Sequence, residues 1–126
     1  MEGFWLIGRI IFGIYFLMTG FNHLTNYQGM KQATQQKNVP LAGAAVSGSG
    51  LILIFGGLSI LTGLYVGIGV LLLVVFLILA AILFHNFWSF EDPMQKMGEE
   101  NQFMKNIALA AALLMMLQIQ DWTWSL

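Results

Sequence analysis

The chain has 126 residues, a formal net charge of −1, 58% hydrophobic and 9% charged residues, and no cysteine, with a mean hydropathy of +0.76. Soluble domains carry about 25% charged residues, so a soluble enzyme is excluded, and the balanced charge offers no footprint for nucleic acid. Without cysteine there is no disulfide scaffold and no Cys-ligated zinc or iron–sulfur cluster. Residues 38–90 hold no Asp, Glu, Lys or Arg. As one helix at about 1.5 Å per residue they would reach roughly 80 Å, against a hydrocarbon core of about 30 Å. Folded back once, they make two spans, and the composition is that of an integral membrane protein.

In chain order, residues 4–24 are predicted as the first span. They lack a preceding basic region and a small-x-small cleavage site, and Arg9 lies inside the run, so they do not read as a cleaved signal peptide. A polar stretch from Thr25 to Pro40 follows, with Pro40 suited to the first turn of the next helix. The second span is placed at 41–63 and the third at 66–88. The short Gly63–Gly67 connection makes them a tight antiparallel hairpin. Residues 89–101 form a loop carrying Glu91, Asp92, Lys96, Glu99 and Glu100. Within it, Asp92-Pro93 reads as an N-cap followed by an N1 proline. Phe90, Met94 and Met97 then recur at helical spacing, as in a short helix on the membrane surface. The fourth span is placed at 102–120, with Trp122 and Trp124 as an interfacial anchor.

These elements predict an all-α fold, a four-helix transmembrane bundle of up-down topology, as a single domain over 1–126. Backbone polar groups in hydrocarbon must be paired internally, which helices achieve and open sheets do not. Lys31, Lys37, Lys96 and Lys105 fall on the side of the two long loops. Excess Lys and Arg mark the cytoplasmic face, so the long loops are expected inside and both termini outside.

Arg9, Gly13, Phe16, Gly20 and His23 share one face of the first helix. Arg9 turned to lipid would be costly. It is expected either to snorkel or to pair with Asp121, Gln118 or Gln120 from the chain's other end. The second span is rich in glycine, and Gly43/Ser47 and Ala44/Gly48 fit the small-xxx-small spacing of close helix packing, within one bundle or between protomers.

At the other end the topology gathers Asn22, His23, His85, Asn86, Trp88, Gln102, Lys105 and Asn106. Hydrogen bonds among them would fasten the helices. The same group could hold the carbonyl oxygens of a quinone, with His85, Asn86 or Lys105 donating, Trp88 as a wall, and His23 and Asn106 close by. Two histidines also permit a b-type haem as a weaker alternative, and no resident metal is expected. The loop acids, Glu99 and Glu100 among them, read as solvated. No catalytic triad, H-E-x-x-H pair or carboxylate dyad lies within a span.

Several segments resemble the DoxX family of small four-span membrane proteins. Gly8-Arg9 with Phe16, Gly20 and His23 resembles its opening helix, and Met30-Lys31-Gln32-Ala33 through Val39-Pro40 its first loop. Phe84-His85-Asn86-Phe87-Trp88 resembles the end of its third helix, and Gln102-Phe103-Met104-Lys105-Asn106 the start of its fourth. Ala111-Ala112 departs from the glycines many relatives carry there. The resemblance implies a four-span fold in the bacterial inner membrane. It implies an association with quinol oxidase, thiosulfate:quinone or oxidative-stress systems, and supplies no family-wide catalytic residue. More distant eukaryotic four-span relatives are cargo receptors or assembly chaperones.

Two functions follow as expectations. One is an accessory subunit of a membrane redox system without catalytic activity of its own, touching a quinone at the His85 end. The alternative is a non-enzymatic assembly or scaffold protein working through membrane-protein partners or a homo-oligomer. A transporter is disfavoured, since no charge lies near the midplane and no inverted repeat is evident.

Overall fold

The computed structural model describes residues 2–122. It contains five α-helices, α1 (Glu2–Thr25), α2 (Tyr27–Gln36), α3 (Ala42–Thr62), α4 (Val66–Phe84) and α5 (Pro93–Met116), and a 3₁₀ turn at Phe87–Ser89. Three apolar stretches are long enough to cross a membrane: Glu2–Thr25, Ala42–Thr62 and Val66–Ser89. Helix α5 has the length, but Lys96, Glu99, Glu100 and Lys105 lie within its first thirteen residues.

The buried residues of α1 are Arg9, Gly13, Phe16 and Gly20, the face its helical period predicts. This face meets α3 in antiparallel register at two glycine pairs. A Cβ on Gly57 would stand 2.8 Å from the Gly13 carbonyl oxygen, and one on Gly20 would stand 2.8 Å from that of Gly50. The backbones therefore touch, and only glycine fits at these crossings. Lipid is as apolar as leucine, so close packing of this kind, rather than water exclusion, holds membrane helices together. Gly43/Ser47 and Ala44/Gly48 do not form this seam. Gly43 lies beneath the Tyr27 hydroxyl of α2, and a Cβ on Gly48 would meet nothing within 4 Å.

Helices α3 and α4 form the expected hairpin. Gly63 ends α3 at φ 78°, in the left-handed region where glycine carries no Cβ penalty. Gly56 packs on Leu73 and Gly69 on Ser59 along the hairpin seam. Phe16, Leu53, Ile60, Val70, Leu73, Val74, Leu77, Ala110 and Leu113 then close a common core to which α1, α3, α4 and α5 all contribute. Outward-facing Ile11, Met18, Leu51, Ile68, Val75 and Met115 stay exposed, as lipid contact requires.

Four boundaries differ from expectation. The polar stretch after α1 is mostly the helix α2, which lays Tyr27 and Lys31 over Gly43. Pro40 precedes α3 rather than opening it, because Leu41 caps that helix in a left-handed conformation at φ 53°. Helix α4 stops at Phe84, and His85 and Asn86 lie outside it. The expected surface helix and fourth span are one continuous helix, α5. It starts where foreseen, with the Asp92 carboxylate accepting from the Gln95 amide at 3.1 Å and Pro93 at N1. It ends at Met116 because the amides of 117, 118 and 119 turn back to carbonyls three residues earlier. The Trp124 half of the aromatic anchor lies outside the described residues.

Candidate functional site

Antiparallel packing gathers the polar side chains at two ends. At the first, Arg9 is only 2% exposed. It donates through Nε to the Ile60 carbonyl at 2.7 Å and through a terminal nitrogen to the Leu61 carbonyl at 2.9 Å. Both oxygens belong to the last turn of α3, whose carbonyls lack intrahelical partners. The guanidinium thus caps α3 from a neighbouring helix, and its charge opposes the negative end of the α3 dipole. It also stacks 5.2 Å from the Trp122 ring centroid, and Trp122 meets Trp5 edge-on. Two backbone carbonyls and an indole are thus among the partners of Arg9, for which Asp121, Gln118 or Gln120 was expected, and Asp121 is exposed. A shallow groove of about 240 Å³ opens at this end between Gly63, Val66, Gly67, Met116, Leu117, Ile119 and Trp122.

At the other end α4 terminates against the first turns of α5. His85 Nδ1 lies 2.7 Å from Glu99 Oε2, with the two side chains 25% and 30% exposed. A carboxylate on Nδ1 favours the tautomer with its proton there, which leaves Nε2 as the reactive nitrogen. Neutral, that nitrogen accepts a hydrogen bond from a hydroxyl. Protonated, it donates one to a carbonyl oxygen.

Around this pair, Lys37 donates to Asn86 Oδ1 at 2.9 Å and lies 5.1 Å from the Phe90 centroid. Asn86 in turn donates to the Ser89 hydroxyl at 3.2 Å. The loop following α2 is thereby tied to the end of α4. Phe87, Trp88 and Phe103 make three mutual edge-to-face contacts, with centroids 5.3–5.8 Å apart, and Trp88 remains 54% exposed.

Of the expected residues, His85, Asn86 and Trp88 come together. Asn106 lies buried on α5, two turns beyond Glu99. Lys105 turns away, exposed, and donates to Gln102 on its own helix at 2.7 Å. Asn22 is exposed. His23 sits deeper than His85, with Nδ1 2.9 Å from the Thr19 carbonyl oxygen and its ring against Phe76. Phe76 precedes His85 by nine residues of α4, about 13 Å at the helical rise. The two histidines therefore do not face one another as haem ligands would. Among the described residues no three His, Asp or Glu side chains gather to hold a metal.

Two participants escaped the sequence reading, Glu99 and Lys37. Glu99 stands seven residues before Asn106, hence on its face. That spacing would have flagged it had α5 been drawn from Pro93 as one helix. Lys37 carried no comparable signal.

The comparisons with known proteins agree with this architecture. The DoxX family model matches residues 4–86, from α1 through the end of α4. The Inner membrane protein YqjF of Escherichia coli (strain K12) is 30% identical over 116 residues, covering 88% of this chain and 79% of that protein. No solved structure matches. With its glycine-sealed α1–α3 pair, its α3–α4 hairpin and a family match over most of its length, the chain belongs to the DoxX family.

Proposed function

We propose that the protein is a small accessory subunit of a redox system in the inner membrane, with α5 completing a fourth span. In this reading its His85 end binds the head group of a quinone. The observation that carries it is the part-exposed His85–Glu99 pair beside the Phe87/Trp88/Phe103 cluster. Nε2 of a carboxylate-oriented histidine can donate to a quinone carbonyl or accept from a quinol hydroxyl, and the aromatic edges offer a flat wall. The location suits such a molecule, because its ring is polar enough for the interface and its tail requires lipid. The inner-membrane placement is supported by the name of the relative and by the apolar helices.

The test is lipid extraction of gently purified protein together with thermal unfolding in detergent. Stoichiometric quinone, and a rise in Tm with a short-chain quinone that His85→Ala abolishes, are expected. Ordinary phospholipid alone, with no shift in Tm, would sink the reading.

A second reading, an assembly factor, is favoured by one observation. Ala44, Gly48, Leu51 and Phe55 line an outward stripe of α3, and Gly48 has open space before it. Gly48→Leu is expected to remove a co-purifying membrane protein while leaving Tm unchanged, whereas an unaltered set of co-purifying proteins would count against it.

A further inference from the structure

Asn106 is 5% exposed, and its side chain has no hydrogen-bond partner among the described residues. Of the other buried polar side chains, Arg9 and Thr34 are satisfied within the chain, whereas the single hydroxyl of Ser59 shows no hydrogen bond among the described residues. Arg9 reaches two carbonyls, and Thr34 bonds the Met30 carbonyl oxygen at 2.7 Å. A primary amide offers two donors and an acceptor, and leaving them unmatched inside a membrane protein is costly. A small apolar residue at position 106 would have packed there without that cost, as Ala110 and Leu113 do one and two turns further along the same face. The amide therefore points to a partner that is not part of the chain.

Its position narrows what that partner is. Asn106 and Glu99 share a face of α5, seven residues apart, and Phe103 stands between them with its ring against Phe87 and Trp88. The two polar levels are thus roughly 10 Å apart along the helix. A six-membered ring with oxygens at its para positions, and a hydrogen bond of about 2.9 Å at each end, spans a comparable distance. A ring with a single oxygen, or with two adjacent ones, reaches only one level.

We infer that Asn106 is the inner hydrogen-bonding contact of the ligand site that opens at His85 and Glu99, and that the site selects flat rings with para oxygens. This rests on the quinone reading above and adds the depth of the site and the substitution pattern of its ligand. The Phe87/Trp88/Phe103 cluster flanks the ring, the His85–Glu99 pair holds the outer oxygen, and the Asn106 amide holds the inner one.

The experiment is thermal unfolding of the full chain in detergent, alone and with three short-tailed probes: a para-quinone, an ortho-quinone and a ring bearing one carbonyl. In wild type the para-quinone is expected to raise Tm at least twice as much as either other probe. Asn106→Leu is expected to unfold at or above the wild-type temperature without ligand, and to lose more than half of the para-quinone shift. Its response to the one-carbonyl ring should be unchanged. Asn106→Ala replaces it if leucine does not fit.

A ligand-free Tm several degrees below wild type in both variants would show that the amide serves the fold, and would overturn the inference. A full para-quinone shift in Asn106→Leu that His85→Ala abolishes would overturn the inference and leave the quinone reading standing. No response of the wild type to any probe would overturn both.

Discussion

Arg9 and His85 stand at opposite ends of the helix assembly, and each carries the polar chemistry of its end. Arg9 is almost wholly buried, with its hydrogen bonds committed to the open carbonyls of α3 and its face to an indole. His85 is a quarter exposed and holds one carboxylate through Nδ1, with no hydrogen bond described at its other ring nitrogen. The first end resembles a lock and the second a mouth. A buried cation that donates to the open carbonyls of a helix end stabilises the fold. A part-exposed pair contributes little to stability, because water screens it, and it keeps its chemistry for something else. Charge alone does not mark a functional site in a membrane protein; unspent hydrogen-bonding capacity is the better guide.

That contrast breaks most readily at the seam beside Arg9. Gly57→Leu would drive a side chain into the Gly13 carbonyl and the Leu17 amide. Overpacking of cores costs about 1–3 kcal/mol even where side chains can give way, and backbone gives way less. Loss of the monodisperse folded species on size-exclusion chromatography is expected. Arg9→Met should come next. It removes two charge-assisted hydrogen bonds, each of about 1.5–3 kcal/mol, and frees the last carbonyls of α3. A fall of several degrees in Tm is expected, with Arg9→Lys recovering only part of it, because an ammonium lacks the planar fork.

At the mouth the same measurements should barely move. Glu99→Gln is expected to cost under about 1 kcal/mol, as part-exposed pairs do, yet to reduce the quinone-induced shift in Tm as strongly as His85→Ala. A loss of stability comparable to that of Arg9→Met would erase the distinction between the two ends. Lys37→Ala is the smallest change, expected within about 0.5 kcal/mol as for most surface substitutions. Its readout is faster proteolysis at 37–41, since Lys37 ties that loop to Asn86.

Much of this fold was legible in the sequence because its signals are local. Hydropathy located three of the apolar spans, and the 3.6-residue period picked out Arg9, Gly13, Phe16 and Gly20, the buried face of α1. Asp92-Pro93 announced the start of α5 through chemistry confined to four residues. Helix α2 was missed because a polar segment of ten residues has no span-length apolar run to reveal it. The candidate site was legible only in part. His85, Asn86 and Trp88 are adjacent in sequence and arrive together whatever the packing. Lys105 and Asn106 are adjacent too, but one helical step of about 100° sends the first outward and the second inward.

The sequence by itself determined that the chain is helical and membrane-embedded, where its apolar stretches lie and which face of α1 is turned inward. Each of those follows from the bilayer's demand for internally paired backbone and from the helical repeat. Only the tertiary structure decided that Arg9 answers the carbonyls of α3, that Glu99 meets His85, and that Asn106 is buried without a partner among the described residues. Such pairings depend on the rotation and axial offset of one helix against another. For Arg9 these are set by the glycine contacts of the α1–α3 seam, for Glu99 and Asn106 by the packing of Ala110 and Leu113 of α5 into the common core, and no residue's own hydropathy encodes them.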